Sequence, residues 1–456
     1  LGQGEAQIET HLQLPLQKKI ALKDVSYQVA GTVTGFSSET LVPGRAIHAD
    51  VLTVAADTGG LSISGQGALG AVPFDVTYSQ SFAPDQKGKA RIEGSVTLSQ
   101  RSAEDIGLGL PKGMVTGQGK GQVTIDLTRG APGRLVLRSD LAQIGLNMPE
   151  VGWSKSPGSR GSLEAEVELA KPPRVTRLDL AAAGLKASGS ITLRAGGGLE
   201  VARFDRVQLD DWLDAPVELR GRGAGKAVGI ALTGGSVDMR RMRPASQRKS
   251  SGKGGGPLDL RLDSLQVSDS IALTGFRGDF GLAGGLQGSF TAAINGKAAV
   301  TGAVVPARNG TAVRLQSDNA GAVLAAAGVF ASARGGSLDV TLTPRRQDGS
   351  YDGVARIGNV RVRNTSVLTE LLNAISVVGL LEQLNGEGLL FQEAEGVFIL
   401  TPKAVEVQRG SAVGASLGVS MAGVYKSGTG ELFMQGVVSP IYLLNGIGAM
   451  LTKRGE

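Results

Sequence analysis

The chain has no cysteine. Disulfides, thiolate metal ligands and a cysteine nucleophile are therefore excluded, and the redox compartment stays open. Histidine occurs only as His11 and His48. Each lies in or near a strand-like run with no constellation of carboxylates beside it, so neither is read as a metal ligand or an acid–base group. Aromatic residues are 4% of the chain and charged residues 19%, so few large rings are available to fill a compact core. No run of eighteen or more apolar residues occurs, and the N-terminus shows neither an initiator Met nor a signal-peptide pattern. We read the chain as a fragment, with any anchor or export signal lying upstream. The GxSxG, HExxH and P-loop patterns are missing, and GLAGGLQG and AGGG read as turns. No catalytic residue, metal or cofactor is expected.

What the chain has is glycine, 69 residues in 456, punctuating short apolar–polar alternations. Val72, Phe74, Val76 and Tyr78 alternate with polar neighbours, as do Val123, Ile125 and Leu127. Leu163, Ala165, Val167 and Leu169 face one way while Glu164, Glu166 and Glu168 face the other, on what reads as a solvated outer face. Leu258, Leu260 and Leu262 restart the pattern further on. Period-two alternation of this kind marks half-buried strands of an antiparallel sheet. Residues 102–111 read as a short helical turn, and residues 140–158, around Leu146, Met148, Pro149 and Trp153, as a loop.

Three helices interrupt the strands. Residues 318–328 are Ala-rich, with Asp318 as the expected cap and Gly328 as the stop. Residues 366–379 carry Leu368, Leu371, Leu372, Ile375 and Val378 at three- and four-residue steps, an amphipathic stripe. Residues 440–452 open with Ser439 as cap and Pro440 at the first helical position. The net charge of +6 is concentrated in a Gly/Ser-rich loop at 240–257, which contains Arg240, Arg241, Arg243, Arg248, Lys249 and Lys253. It reads as a solvated loop, with contact to an anionic surface as the alternative. Nucleic acid is not expected as a partner, because no aromatic residues interleave the basic ones.

One-sided strands need an apolar cover that so few helices cannot supply. The options are a closed sandwich or barrel, a stacked β-helix, or a long curved sheet whose concave apolar face is covered by itself and by a ligand. Two to three dozen strands side by side would span roughly 100–150 Å.

The order SDNAGAVLAAAGVFASARGGSLDVTLTP, ISVVGLLEQLNGEGLLFQEAEGVFIL, GSAVGASLGVSMAGVY and GVVSPIYLLNGIGAML, within residues 317–451, resembles the C-terminal region of the AsmA-like superfamily, in its large YhdP-type branch from Gram-negative bacteria. The segments LGLPKGMVTGQGKGQVTIDLT and LNMPEVGWSKSPGSRGSLEAEVEL resemble the middle of the same proteins. The resemblance implies a mostly β fold, an elongated, curved antiparallel β-sheet groove with a few short helices, the main ones near the C-terminus. The resemblance covers about residues 100–456, most closely in the last third, and residues 1–100 match in style only. We divide the chain into a repetitive groove region at 1–239, the basic loop at 240–257, and a C-terminal groove region at 258–456. The resemblance also implies a periplasmic protein, anchored in the inner membrane, that conducts phospholipid between the inner and outer membranes without enzymatic chemistry and serves outer-membrane integrity.

On that reading Val123, Ile125, Leu127, Leu163, Val167, Leu169, Leu258, Leu260 and Leu262 line a path for acyl chains; plain core packing is their other reading. The 366–379 helix plugs the end of the groove or docks on a membrane or partner. A rival class is an assembly factor for outer-membrane proteins that pairs client strands at sheet edges. A β-helix enzyme or adhesin acting on polysaccharide fits less well, because Trp153 and Trp212 are too isolated to stack sugars.

Overall fold

The computed structural model describes residues 2–15, 25–42, 44–149, 151–223, 225–242, 255–347, 349–363, 369–370, 384, 386–415, 417–426 and 429–440. The fold is mostly β. Among the described residues thirty strands accompany two α-helices, and 27 of the strands belong by hydrogen bonding to one mixed sheet. The chain divides into two compact units, Leu1–Asp211 with Pro216–Val228 and Arg248–Ser251, and Trp212–Ala215 with Gly229–Gln247 and Gly252–Glu456.

In the first unit the strands follow one another as an antiparallel meander. The strand Val72–Ser81 shows why. Its Val, Phe, Val and Tyr alternate with Pro, Asp and Thr, and burial alternates with them, half-buried on one face and exposed on the other. Two excursions leave the same end of this sheet. The first, between the strands Lys89–Leu98 and Gly119–Thr128, opens with helix α1, Gln100–Asp105. Ser99 caps it by accepting from the Ser102 N–H at 3.0 Å. The second lies between Gly133–Ser139 and Gly161–Leu169. It is not the plain loop read from the sequence: Ile144–Met148 and Trp153–Lys155 join Val115–Gly117 from the first excursion in a separate three-stranded sheet. These strands are too short to show a period, which hid them.

The second unit is also antiparallel along most of its length, with one departure from expectation. Gly229–Leu232 and Ser236–Asp238 both pair in parallel with Pro257–Gln266. A parallel return needs a connection of about a dozen residues or more, and residues 239–256 provide it. Further on, Asn295 and Gly296 take positive φ of 48° and 71° in the three-residue hairpin loop that joins Ile294 to Ala298. The Asn295 amide also donates to the Ser270 and Ala326 carbonyls at 2.8 and 2.7 Å, tying the hairpin to helix α2, Ala320–Ala326. The cap of α2 is Asn319, accepting from Ala322 N–H at 2.9 Å, and not Asp318, because the helix starts one residue later than the spacing predicts. Leu384, Leu389, Phe391, Val360, Val362 and Leu417 form a buried cluster in this unit.

Ser439 and Pro440, expected to cap and open the helix at 440–452, instead end the strand Leu432–Pro440, where they pair with Gly418 and Leu417, because the alternation of that strand runs on through them. Of the expected 366–379 helix only 369–370 are described; Leu368, Leu371, Leu372, Ile375 and Val378, residues 441–452, and Arg243, Arg248, Lys249 and Lys253 lie outside the described residues.

Candidate functional site

Residues directly opposite each other on paired strands share a face, so the registers can be followed from strand to strand. In the first unit this produces an unbroken line. From Ile8 it runs through Gly31, Val54, Ile63, Tyr78 and Ile92. It continues through Ile125, Leu135, Val167, Val175, Ile191 and Ala202. No charged side chain enters it. Twelve strands at about 4.8 Å spacing make this row roughly 50 Å long. A parallel row, two residues along each strand and three on the last, where a bulge separates Val175 from Leu178, holds Val76, Gly94, Val123, Leu137, Ala165 and Leu178.

The sequence candidates Val123, Ile125 and Val167 therefore stand together on these rows, with Leu127, Leu163 and Leu169 on the same face. Cover is uneven. Val54, Ile63, Val76 and Tyr78 are half-buried, whereas Val123, Ala165 and Val175 are buried, at 5%, 7% and 8% exposure.

The second unit has equivalent rows headed by the candidates Leu258 and Leu260. Leu258 pairs with Phe280, and the line passes through Gly288, Val304, Val313 and Leu342 to Gly353 and Phe398. Leu260 leads through Gly278, Phe290 and Gly302 to Leu315 and Val340. Leu262 pairs with Phe276 and is buried.

Here phenylalanine rings lie on cross-strand glycines. A Cβ at Gly302 would fall 2.1 Å from the Phe290 ring, and one at Gly353 would fall 2.3 Å from Phe398. Phe290 also stacks on Phe276 with centroids 5.1 Å apart. The first-unit rows carry few rings and stay more open; this stretch of the second is filled by its own side chains.

The opposite face is polar and cross-linked by ion pairs. Arg91 pairs with Asp126 at 2.7 Å, Arg134 with Glu166 at 2.6 Å and Arg138 with Glu164 at 2.8 Å. Glu164 and Glu166 are thus each held by an arginine of the neighbouring strand. Arg314 binds both carboxylate oxygens of Asp339 through Nε and Nη2, and holds its carboxyl below the usual aspartate range. Arg220, with Arg203, does the same for Glu218. Of the basic-loop candidates, Arg240 is engaged by Asp238 and Asp269, both at 2.6 Å, and Arg241 by Asp238 at 3.4 Å.

One buried cation escaped the sequence reading. Lys155, 4% exposed, donates from Nζ to the carbonyls of Leu141 and Ile144 at 2.8 Å, Ser159 at 2.5 Å and Ser156 at 3.3 Å. Burial pushes the ammonium below the ordinary lysine range, while Asp140 pulls the other way. This bracket fixes the second excursion, where Leu141, Ile144 and Trp153 are each 3% exposed. Trp153 adds a bond from Nε1 to the Ala183 carbonyl at 2.9 Å. Nothing in the spacing of a lone lysine in a Gly/Pro-rich stretch signals such a role.

His11 lies 3.7 Å from Glu9 on an exposed strand. Among the described residues no three His, Asp or Glu side chains are grouped as a metal site, and no helix is long and apolar enough to cross a membrane. Compared with known proteins, the chain matches no family model, no curated protein and no solved structure.

Proposed function

We propose that this chain is part of a non-enzymatic lipid conduit, in which acyl chains of phospholipids lie along the apolar rows. The observation that carries the reading is the twelve-strand row from Ile8 to Ala202, apolar or glycine at every position and half-buried along much of its length. An apolar surface that long, incompletely covered by protein, costs free energy in water at about 25 cal/mol per Å² and is relieved by hydrocarbon. Its aliphatic lining suits flexible chains better than a rigid planar ligand. The resemblance to AsmA-like proteins supports the same reading, with a periplasmic location, an inner-membrane anchor, and passage of phospholipid between the inner and outer membranes.

A second reading, an assembly factor that pairs client strands of outer-membrane proteins, draws on the strand Leu432–Pro440, whose Leu432, Phe433 and Val437 are exposed at 64%, 58% and 64%. Extraction of the purified chain followed by lipid mass spectrometry separates the two. Bound phospholipid supports the conduit; an empty protein that captures unfolded strands overturns it.

A further inference from the structure

The first excursion does more than connect two strands. The Gly107 carbonyl accepts from Gly198 N–H at 3.3 Å, and a Cβ on Gly109 would sit 3.5 Å from Gly198 Cα. Gly198 belongs to the turn between Leu185–Leu193 and Leu199–Leu209. In the sheet order that turn lies five strand spacings from Leu98 and at the opposite ends of the strands. On a flat sheet the two points would be roughly 35 Å apart. The chain from Leu98 to Gly107, with six residues in a helix, reaches at most about 23 Å.

The strands between must therefore curl, bringing the two lips of the sheet toward each other. The excursion lies on the apolar side. A Cβ at Gly119, which shares a face with Val123, would meet Ile144, and one at Gly161, which shares a face with Leu163, would meet Leu141. Burial of the rows agrees, since Val123, Ala165 and Val175 lie on the strands being bridged.

We propose that residues 106–110 form a clasp across the open side of the first unit's apolar trough, so that a ligand reaches the rows beneath it lengthwise and not from the side. The tip alternates Ile106, Leu108 and Leu110 with Gly107 and Gly109 and touches the far lip through glycine backbone. Contact without side chains makes a seam that can open. The consequence for acyl chains rests on the function proposed above; the clasp itself does not.

With no native cysteine, reagent access reports the clasp directly. A single Val167→Cys, half-buried on the bridged row, is labelled with a small maleimide and with a polyethylene-glycol maleimide. The reactions are compared in the intact chain and in one whose residues 106–111 are replaced by a short Gly-Ser linker. The expected result is that the bulky reagent accelerates by about tenfold or more without the clasp, while the small one does not change. Equal acceleration of both reagents, or of neither, overturns the proposal.

A second variant leaves the segment in place. Gly109→Cys with Gly198→Cys sets Cα atoms within about 5 Å, inside the range of a disulfide. Oxidation to an intramolecular bond, seen as loss of both free thiols in a monomer, supports the placement; a pair that stays reduced in folded protein refutes it. Neither readout involves lipid, so an empty trough would overturn the function and leave the clasp standing.

Discussion

Replacing Lys155 by Met keeps the stem and removes the ammonium. Three carbonyls at 2.8 Å or less then lose a charged donor. A stranded buried carbonyl costs about 1–3 kcal/mol, which puts the gross loss at about 3–9 kcal/mol. The upper part is not reached, because dehydrating the ammonium itself costs several kcal/mol that the variant avoids. We therefore expect about 3 kcal/mol, felt locally in the bracketed excursion. At about 1.4 kcal/mol per decade, amides of Ile144–Lys155 should exchange roughly a hundredfold faster with deuterium, while those of Val72–Ser81 stay unchanged. Trp153 fluorescence should shift to the red, read in a Trp212→Phe background. pH gives a second handle. The folded pKa of Lys155 lies below its unfolded value, near 10.4, so its burial penalty is complete below the folded pKa. As pH climbs from the folded toward the unfolded pKa, the unfolded state holds more protons and stability rises. That rise should be present in the native chain and missing in Lys155→Met. Unchanged exchange across Ile144–Lys155 would refute the reasoning.

Other substitutions test other parts of the molecule. Gly302→Ala drives a methyl into the Phe290 ring, which Phe276 pins from beside it, and should cost about 1–3 kcal/mol in urea unfolding; Gly396→Ala, with open space at its Cβ, should cost nothing. Val123→Asp buries a carboxylate and should lower stability by about 3 kcal/mol or more, whereas the half-buried Ile125→Asp should cost about half that, leave the fold intact and block acyl chains. Arg314 lowers the folded pKa of Asp339, so the pair's contribution is present above the unfolded pKa and lost as pH falls through the folded value. Partial exposure keeps it under about 1 kcal/mol, and Asp339→Asn should flatten that limb of the acid-unfolding curve.

How much was legible follows from period and range. Val123–Leu127 and Leu163–Leu169 show their inward faces directly, because a strand repeats every two residues and a half-covered sheet sorts polar from apolar. The glycines opposite Phe290 and Phe398 read only as turn punctuation, since their reason is a ring on the next strand. Lys155 and the 106–110 segment were invisible for a related cause: the carbonyls around one and the glycine turn touched by the other are brought close by tertiary folding. The parallel pairing of Gly229–Leu232 with Pro257–Gln266 was missed because alternation is the same in both strand directions.

Photocrosslinking from single sites along the row addresses the central claim most directly. With a photoreactive residue at Ile125 or Val167, and outward-facing Thr124 or Gln122 as controls, the account predicts phospholipid adducts by mass spectrometry at the row positions and none at the controls. Absence of lipid at Ile125 and Val167, or equal capture on both faces, would contradict it.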